Sequence, residues 1–289
     1  MDCAVSPVFS VETTPHPSNP PELYLDVMKK LLTRAIVARP LERHTIRPIG
    51  PKSGMLCRLN RLGARFGLEV VRLSPSRAED YLESGHEARN RVEDAETMLG
   101  TRQLDHMQKC IADVLLRSVP GDLIEAGVWR GGMTIFMRAA LAAHQCTDRK
   151  VWVADSFAGL PEIDRQHDRF EWNRGDMAVS LDAAKENFAR YSLLDDQVMF
   201  LKGYFSDTLA SAPIRQLAIL RVDADLYSST MDVLRNLYTA LSPGGYAIFD
   251  DYRNLPDCRR AIEEFRQQEG IQEEIQAIDQ RAVYWRKER

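Results

Sequence analysis

The spacing of apolar positions changes from helical to strand-like near the middle of this chain. Glu22–Ile36 places Tyr24, Val27, Met28, Leu31, Leu32 and Ala35 on one helical face, which must pack against something. Ahead of it, residues 1–21 hold Pro15, Pro17, Pro20 and Pro21 among Ser, Thr and Asn. That composition builds no core and predicts a tail. Residues 39–72 combine prolines at 40, 48 and 51 with clustered Arg and Lys and little periodicity; the basic cluster reads as a solvated face rather than an acidic-substrate site. Helical spacing is expected over Ala78–Thr97 and again over Arg102–Arg117, with Leu104, Met107, Ile111, Val114 and Leu115 on one stripe that Val119-Pro120-Gly121 breaks.

Beyond that break, short apolar runs alternate with helices. The runs are Asp122–Ala126, Lys150–Ala154, Val198–Leu201, Leu217–Val222 and Tyr246–Phe249. The helices are Thr134–Ala143, Ser180–Tyr191 with Ser180 as N-cap, Ser229–Leu241 and Asp257–Gln268, with a turn at Ser242-Pro-Gly-Gly245. Two last strands are expected around Glu274–Ala277 and Ala282–Arg286, the final one antiparallel. Such alternation predicts an α/β, doubly wound, mostly parallel sheet with right-handed crossovers. Pro161–Val179, with His167, Trp172 and Gly175, is too long for a connector and reads as a lid. The expected organisation is a tail to residue 21, a helical, lid and substrate-shaping region over 22–100, and a cofactor-binding domain over 101–289.

Composition narrows the function classes. The 289 residues are 44% hydrophobic and 28% charged with net charge −4, ordinary for a globular protein and without the basic surface nucleic acid requires. No apolar run spans a bilayer and the N-terminus lacks a signal-peptide pattern, so a cytoplasmic protein is expected. Cys3, Cys57, Cys110, Cys146 and Cys258 lie far apart with no C-x-x-C pair, against a zinc module or a disulfide framework.

The candidate chemistry begins at Asp122-Leu-Ile-Glu-Ala-Gly-Val-Trp-Arg-Gly-Gly132, which reads as strand, glycine turn and helix start. Its G-x-x-x-G-G spacing lacks the middle glycine that brings a backbone against a pyrophosphate, which disfavours a nicotinamide dehydrogenase. Glu125, at the C-terminal edge of the strand where ligands bind in such sheets, suits the cationic amino-acid end of adenosylmethionine; an ordinary strand-to-helix turn is the alternative. Asp155 ends the second strand, where a ribose diol finds its acceptor, unless it caps a helix. Asp223 and Asp225 share a side if strand alternation continues, and Asp250 and Asp251 end the next strand about 5 Å away. Four such carboxylates cannot all ionise without a cation. Oxygen ligands without His or Cys point to Mg²⁺, the alternative being that the aspartates cap helices.

Three stretches, Gly121–Gly132, Asp223-Ala-Asp-Leu-Tyr-Ser-Ser-Thr230 and Asp250-Asp251, resemble the macrocin O-methyltransferase family, antibiotic-tailoring enzymes that include the noviose O-methyltransferases. The resemblance runs from about Leu23 to the C-terminus, weakly over 37–75. It implies a class I methyltransferase sheet and an S-adenosyl-L-methionine- and Mg²⁺-dependent methyl transfer to a sugar hydroxyl of a glycosylated natural product, in a homodimer or larger homo-oligomer. It further implies Asp223, Asp250 and Asp251 on the metal and Asp225 as base; the lid histidine His167 is, apart from the resemblance, a second candidate base, with a surface loop residue the preferred reading. Around the cofactor it implies Met98, Glu125, Gly127, Val128, Gly131, Thr134, Asp155, Ser156, Phe157, Ser180, Gly203 and Tyr204, with Gly203-Tyr-Phe205 at the adenine. The weak match over 37–75 bears on the substrate rather than the reaction. A phenol or catechol O-methyltransferase would use the same metal and cofactor; a catalytically silent partner subunit is the other alternative, and the intact aspartate set speaks against it.

Overall fold

The computed structural model describes residues 19–36, 41–45, 71–75, 91–92, 95–169 and 171–288. Most of the expected tail and most of the basic stretch 39–72 lie outside the described residues. Strands β1 (Leu41–Thr45), β2 (Val71–Pro75) and β3 (Arg91–Val92) form a small antiparallel sheet in the order β2-β1-β3. The helix expected over Ala78–Thr97 is corrected in part: residues 78–90 lie outside the described residues, Arg91 and Val92 pair with Arg43 and Glu42 as strand, and residues 95–97 are not helical.

A second sheet positions the site. It contains β4 (Asp122–Ala126), β5 (Val151–Asp155), β6 (Val198–Lys202), β7 (Leu217–Val222), β8 (Leu241–Phe249), β9 (Gln276–Ala277) and β10 (Val283–Arg286), in the order β6-β5-β4-β7-β8-β10-β9. The first five strands of that order are parallel, and β10 runs antiparallel to β8 and β9. The long helices among the described residues are α1 (Pro20–Leu32), α2 (Thr101–Leu116), α3 (Gly132–Ala143), α4 (Leu181–Arg190), α5 (Tyr227–Leu237) and α6 (Pro256–Glu269).

Alternate strand residues divide between two cores. Leu123, Val151, Val153, Ile219 and Ile248 belong to one with α1–α4, and Ile124, Trp152, Ala154, Leu220, Val222 and Phe249 to the other with α5 and α6. Both faces are covered, so each central strand reads as a nearly continuous apolar run. Each fully buried Leu or Ile stabilises by roughly 1.5–3 kcal/mol.

Two expected details differ. The buried stripe of α1 is Leu25, Met28 and Leu32, while Tyr24 and Val27 are each 37% exposed. The i, i+3, i+7 row of Leu and Met takes the core, and the helix is rotated from the expected face. The expected turn Ser242-Pro-Gly-Gly245 lies inside β8 as an irregularity: Leu217 pairs with Leu241 and Ile219 with Tyr246, so the extra residues bulge. Among the described residues, no helix is long and apolar enough to cross a membrane.

Candidate active site

The C-terminal ends of β5, β4, β7 and β8 lie side by side, and there the glycine turn and the aspartates meet. Gly127 has φ +89°, and a Cβ on it would fall 1.7 Å from the carbonyl oxygen of Asp223. The glycine is therefore required by the backbone of β7's end as much as by any ligand. Gly131, at φ +87°, is the N-cap of α3. Asp155 braces the turn: one carboxylate oxygen accepts from the Val128 N–H at 2.9 Å and the Trp129 N–H at 3.4 Å. Its other oxygen accepts from the Phe157 N–H at 2.8 Å.

Gly203 comes beside Asp155 through an N–H to its carbonyl at 3.0 Å, with Tyr204 following. Met98 belongs to a segment laid against the turn, where the Gly132 N–H donates to the Glu96 carbonyl at 3.1 Å. Other expected cofactor residues have internal partners. The buried Thr134 hydroxyl donates to the Gly131 carbonyl, Ser156 donates to the Gly159 carbonyl, and Ser180 accepts from the Ala183 N–H as the cap of α4. Ser180 thus stands at a helix start rather than at a strand end.

Arg221 is the residue that sequence reasoning missed. It is fully buried, and its guanidinium donates to Glu125 Oε1 at 2.6 Å, Asp223 Oδ2 at 2.9 Å, Asp250 Oδ1 at 3.0 Å and Gln103 Oε1 at 3.0 Å. The signal was present, because an arginine inside a six-residue strand whose neighbours are all apolar has to find buried acids. Arg281 adds a second guanidinium, 3.1 Å from Asp251 Oδ1 and 3.5 Å from Asp250 Oδ2. The cation that the clustered carboxylates were expected to need is supplied in part by the chain itself, as these two guanidinium groups. Set against Glu125, Asp223, Asp250 and Asp251, they leave a formal charge of −2.

Asp223, Asp250 and Asp251 each offer an oxygen, all within 4.8 Å of one another. Desolvation, with repulsion from Asp250, raises the Asp223 carboxyl well above its ordinary range and raises that of Asp251 as well. A hard divalent cation would reverse both effects, so this donor set fits one. Glu125 is held up at about 7 by burial, with Asp250 and Asp155 adding to the rise and Arg221 opposing it. Its second oxygen, Oε2, is buried without a hydrogen-bond partner, which fits a cationic ligand group at the turn.

Asp225 reaches this crevice by a different route from the expected one. β7 ends at Val222, strand alternation stops there, and Asp225 adopts φ +58°. The Leu226 N–H donates back to the Ala224 carbonyl at 2.6 Å and the Asp225 N–H to Asp251 Oδ2 at 3.3 Å. A left-handed non-glycine residue costs on the order of 1–3 kcal/mol and persists where its surroundings fix it. His167 lies in the loop 161–179, where its Nδ1 is 2.6 Å from the accepting Oδ2 of Asp164 and its ring stacks on Tyr227 at 4.9 Å.

A mostly parallel sheet in this strand order, with a glycine turn after β4, defines the Rossmann-like class I methyltransferase fold. Comparison with known proteins makes the class specific: residues 21–287 match the family described as Macrocin-O-methyltransferase (TylF), and the chain belongs to that family of O-methyltransferases. It is 40% identical over 286 residues to demethyldecarbamoylnovobiocin O-methyltransferase of Streptomyces niveus, covering 96% of this chain and 98% of that protein. A Streptomyces olivaceus enzyme, the 8-demethyl-8-(2,3-dimethoxy-alpha-L-rhamnosyl)-tetracenomycin-C 4'-O-methyltransferase, is 52% identical over 199 residues, or 66% of this chain and 76% of that one. The solved O-methyltransferase NovP is similar in structure, with a TM-score of 0.77 and 40% identity over 93% of this chain and 100% of that chain.

Proposed function

We propose that this O-methyltransferase uses S-adenosylmethionine and Mg²⁺ to methylate a sugar hydroxyl of a glycosylated natural product in antibiotic biosynthesis. The observation that carries the reading is the trio Asp223, Asp250 and Asp251, joined through Arg221 to Glu125 and its unpartnered oxygen. The sugar acceptor is supported by the rhamnosyl substrate in the name of the Streptomyces olivaceus relative.

Adenosylmethionine supplies a methyl group on a sulfonium, and a divalent cation lowers the pKa of an oxygen placed beside it. The chain's own residues do the rest. Glu125 Oε2 would accept from the ammonium of the cofactor. Asp155, whose Oδ2 already accepts two N–H groups of the turn, would offer the remaining lone pair of Oδ1 to a ribose hydroxyl. Asp225 would take the proton of the acceptor hydroxyl, whose oxygen would receive the methyl group that bound adenosylmethionine supplies. Rate comes mainly from orientation and fixed charge. Mass spectrometry of products formed from a panel of glycosylated natural products tests the reading, and methylation of phenols alone would replace it with the phenol or catechol alternative.

Glu125 yields a pH prediction. An ammonium pairs with the carboxylate, but below pH about 7 the carboxyl is protonated, so cofactor binding must expel that proton. Affinity for adenosylhomocysteine should therefore climb as pH rises from about 5 to 7 and level off above, with proton release visible by calorimetry in buffers of different ionisation enthalpy. In the free protein the sign is opposite. A carboxyl raised from 4.5 to about 7 favours the folded state at low pH, and that stabilisation is lost as pH rises through 7. Affinity that stays flat over this window would remove Glu125 from the ammonium.

A further inference from the structure

The loop 161–179 is fastened to the fold at a point that bears on Asp225. Asp168 is 1% exposed, and its Oδ1 accepts from the Tyr227 N–H at 2.7 Å, across 59 residues of sequence. Tyr227 is the first residue of α5, two positions beyond Asp225. Around this bond the loop is tied down repeatedly. The Arg169 N–H donates to Asp257 Oδ2 at 2.8 Å, and Arg260 donates to the His167 carbonyl at 2.6 Å. Leu160, Ile163 and Trp172 pack on the fully buried Leu226.

The turn at Asp225 is thus gripped from both sides. On one side the Asp225 N–H is held by Asp251; on the other the Tyr227 N–H is held by Asp168. Between them the chain passes through φ +58° with a tight Leu226-to-Ala224 hydrogen bond. A free backbone N–H at the start of α5 would be equally content with water. A carboxylate brought from a distant loop and buried there, with its Oδ2 unpartnered, fixes position at the expense of solvation.

We propose that Asp168 is a positioning residue: it holds the Asp225 turn in its working conformation, so that docking of the loop 161–179 and placement of the proton acceptor are one event. This rests on the reading of Asp225 as that acceptor. Neither the glycine turn nor the metal-binding trio requires Asp168, since it touches none of them in the contacts above.

The test compares Asp168→Ala, Asp168→Asn and Asp168→Glu with the wild-type protein by hydrogen exchange and steady-state kinetics. Asp168→Ala removes the acceptor and should raise exchange over residues 223–230 on the order of tenfold, leaving β4 and β5 protected. Its kcat should fall about 10–100-fold, the scale of a small misplacement of a reacting group, with KM for adenosylmethionine within about twofold of normal. Asp168→Asn keeps an oxygen acceptor and should recover most of both. Should the alanine variant fail to fold, Asp168→Glu, which displaces the oxygen by one methylene, should fold with the same two defects. A folded Ala or Glu variant with wild-type exchange over 223–230, or with wild-type kcat, overturns the proposal. A wild-type protein that transfers no methyl group would overturn the functional reading instead, while the exchange measurement still decides whether Asp168 holds the turn.

Discussion

Exhaustive removal of divalent metal should abolish methyl transfer and added Mg²⁺ should restore it, whereas Asp225→Asn should retain metal and cofactor binding and lose turnover. The two outcomes follow from different environments. Asp223, Asp250 and Asp251 bring oxygens within 4.8 Å of one another and retain formal negative charge after Arg221 and Arg281 are counted. Asp223 is the member with 26% of its side chain exposed and one guanidinium partner, so Asp223→Asn should fold and need far more metal for half-maximal activity. Asp225 stands outside that trio, on its own turn. An asparagine there keeps the shape without accepting a proton, and kcat should fall about 10²–10⁴-fold, the usual contribution of a general base. Turnover that survives chelation would sink the metal reading. Normal kcat in Asp225→Asn would move the base elsewhere, with His167 next to examine.

The second large effect concerns stability. Arg221→Met should destabilise the protein by about 3–5 kcal/mol, the range for breaking a buried ion pair from one side. The loss comes chiefly from what is left behind: Glu125 and Asp250, each 2% exposed, would face each other without their shared counter-charge. Urea denaturation followed by circular dichroism measures this. Adding Glu125→Gln should recover part of the loss, since the two substitutions share one network and will not add. A change below about 1 kcal/mol in the single variant would show that the acids protonate freely and that Arg221 does not hold them.

The family relationship was legible in three short motifs, and the alternation of runs and helices was enough to predict the parallel sheet and its two covered faces. The glycine turn after β4 and the aspartates at the ends of β7 and β8 were also visible, because turn chemistry and periodicity are written in residues close together in the chain. What local pattern could not decide was which strands lie side by side. The order β4-β7-β8 brings Asp223 to Asp250 and Asp251, and it sets Arg221 opposite Glu125 in the ladder, 96 residues away in sequence. The same holds for the face of α1, for the pairing of Arg91 and Val92 as strand, and for Asp168 reaching Tyr227. Asp225 shows the limit most plainly: its identity stood in the sequence, but strand alternation ended three residues before it. Around its left-handed backbone, carboxylates from two distant segments accept from the N–H groups of Asp225 and Tyr227. Buried charges find partners wherever packing puts them, and packing is a property of the whole chain.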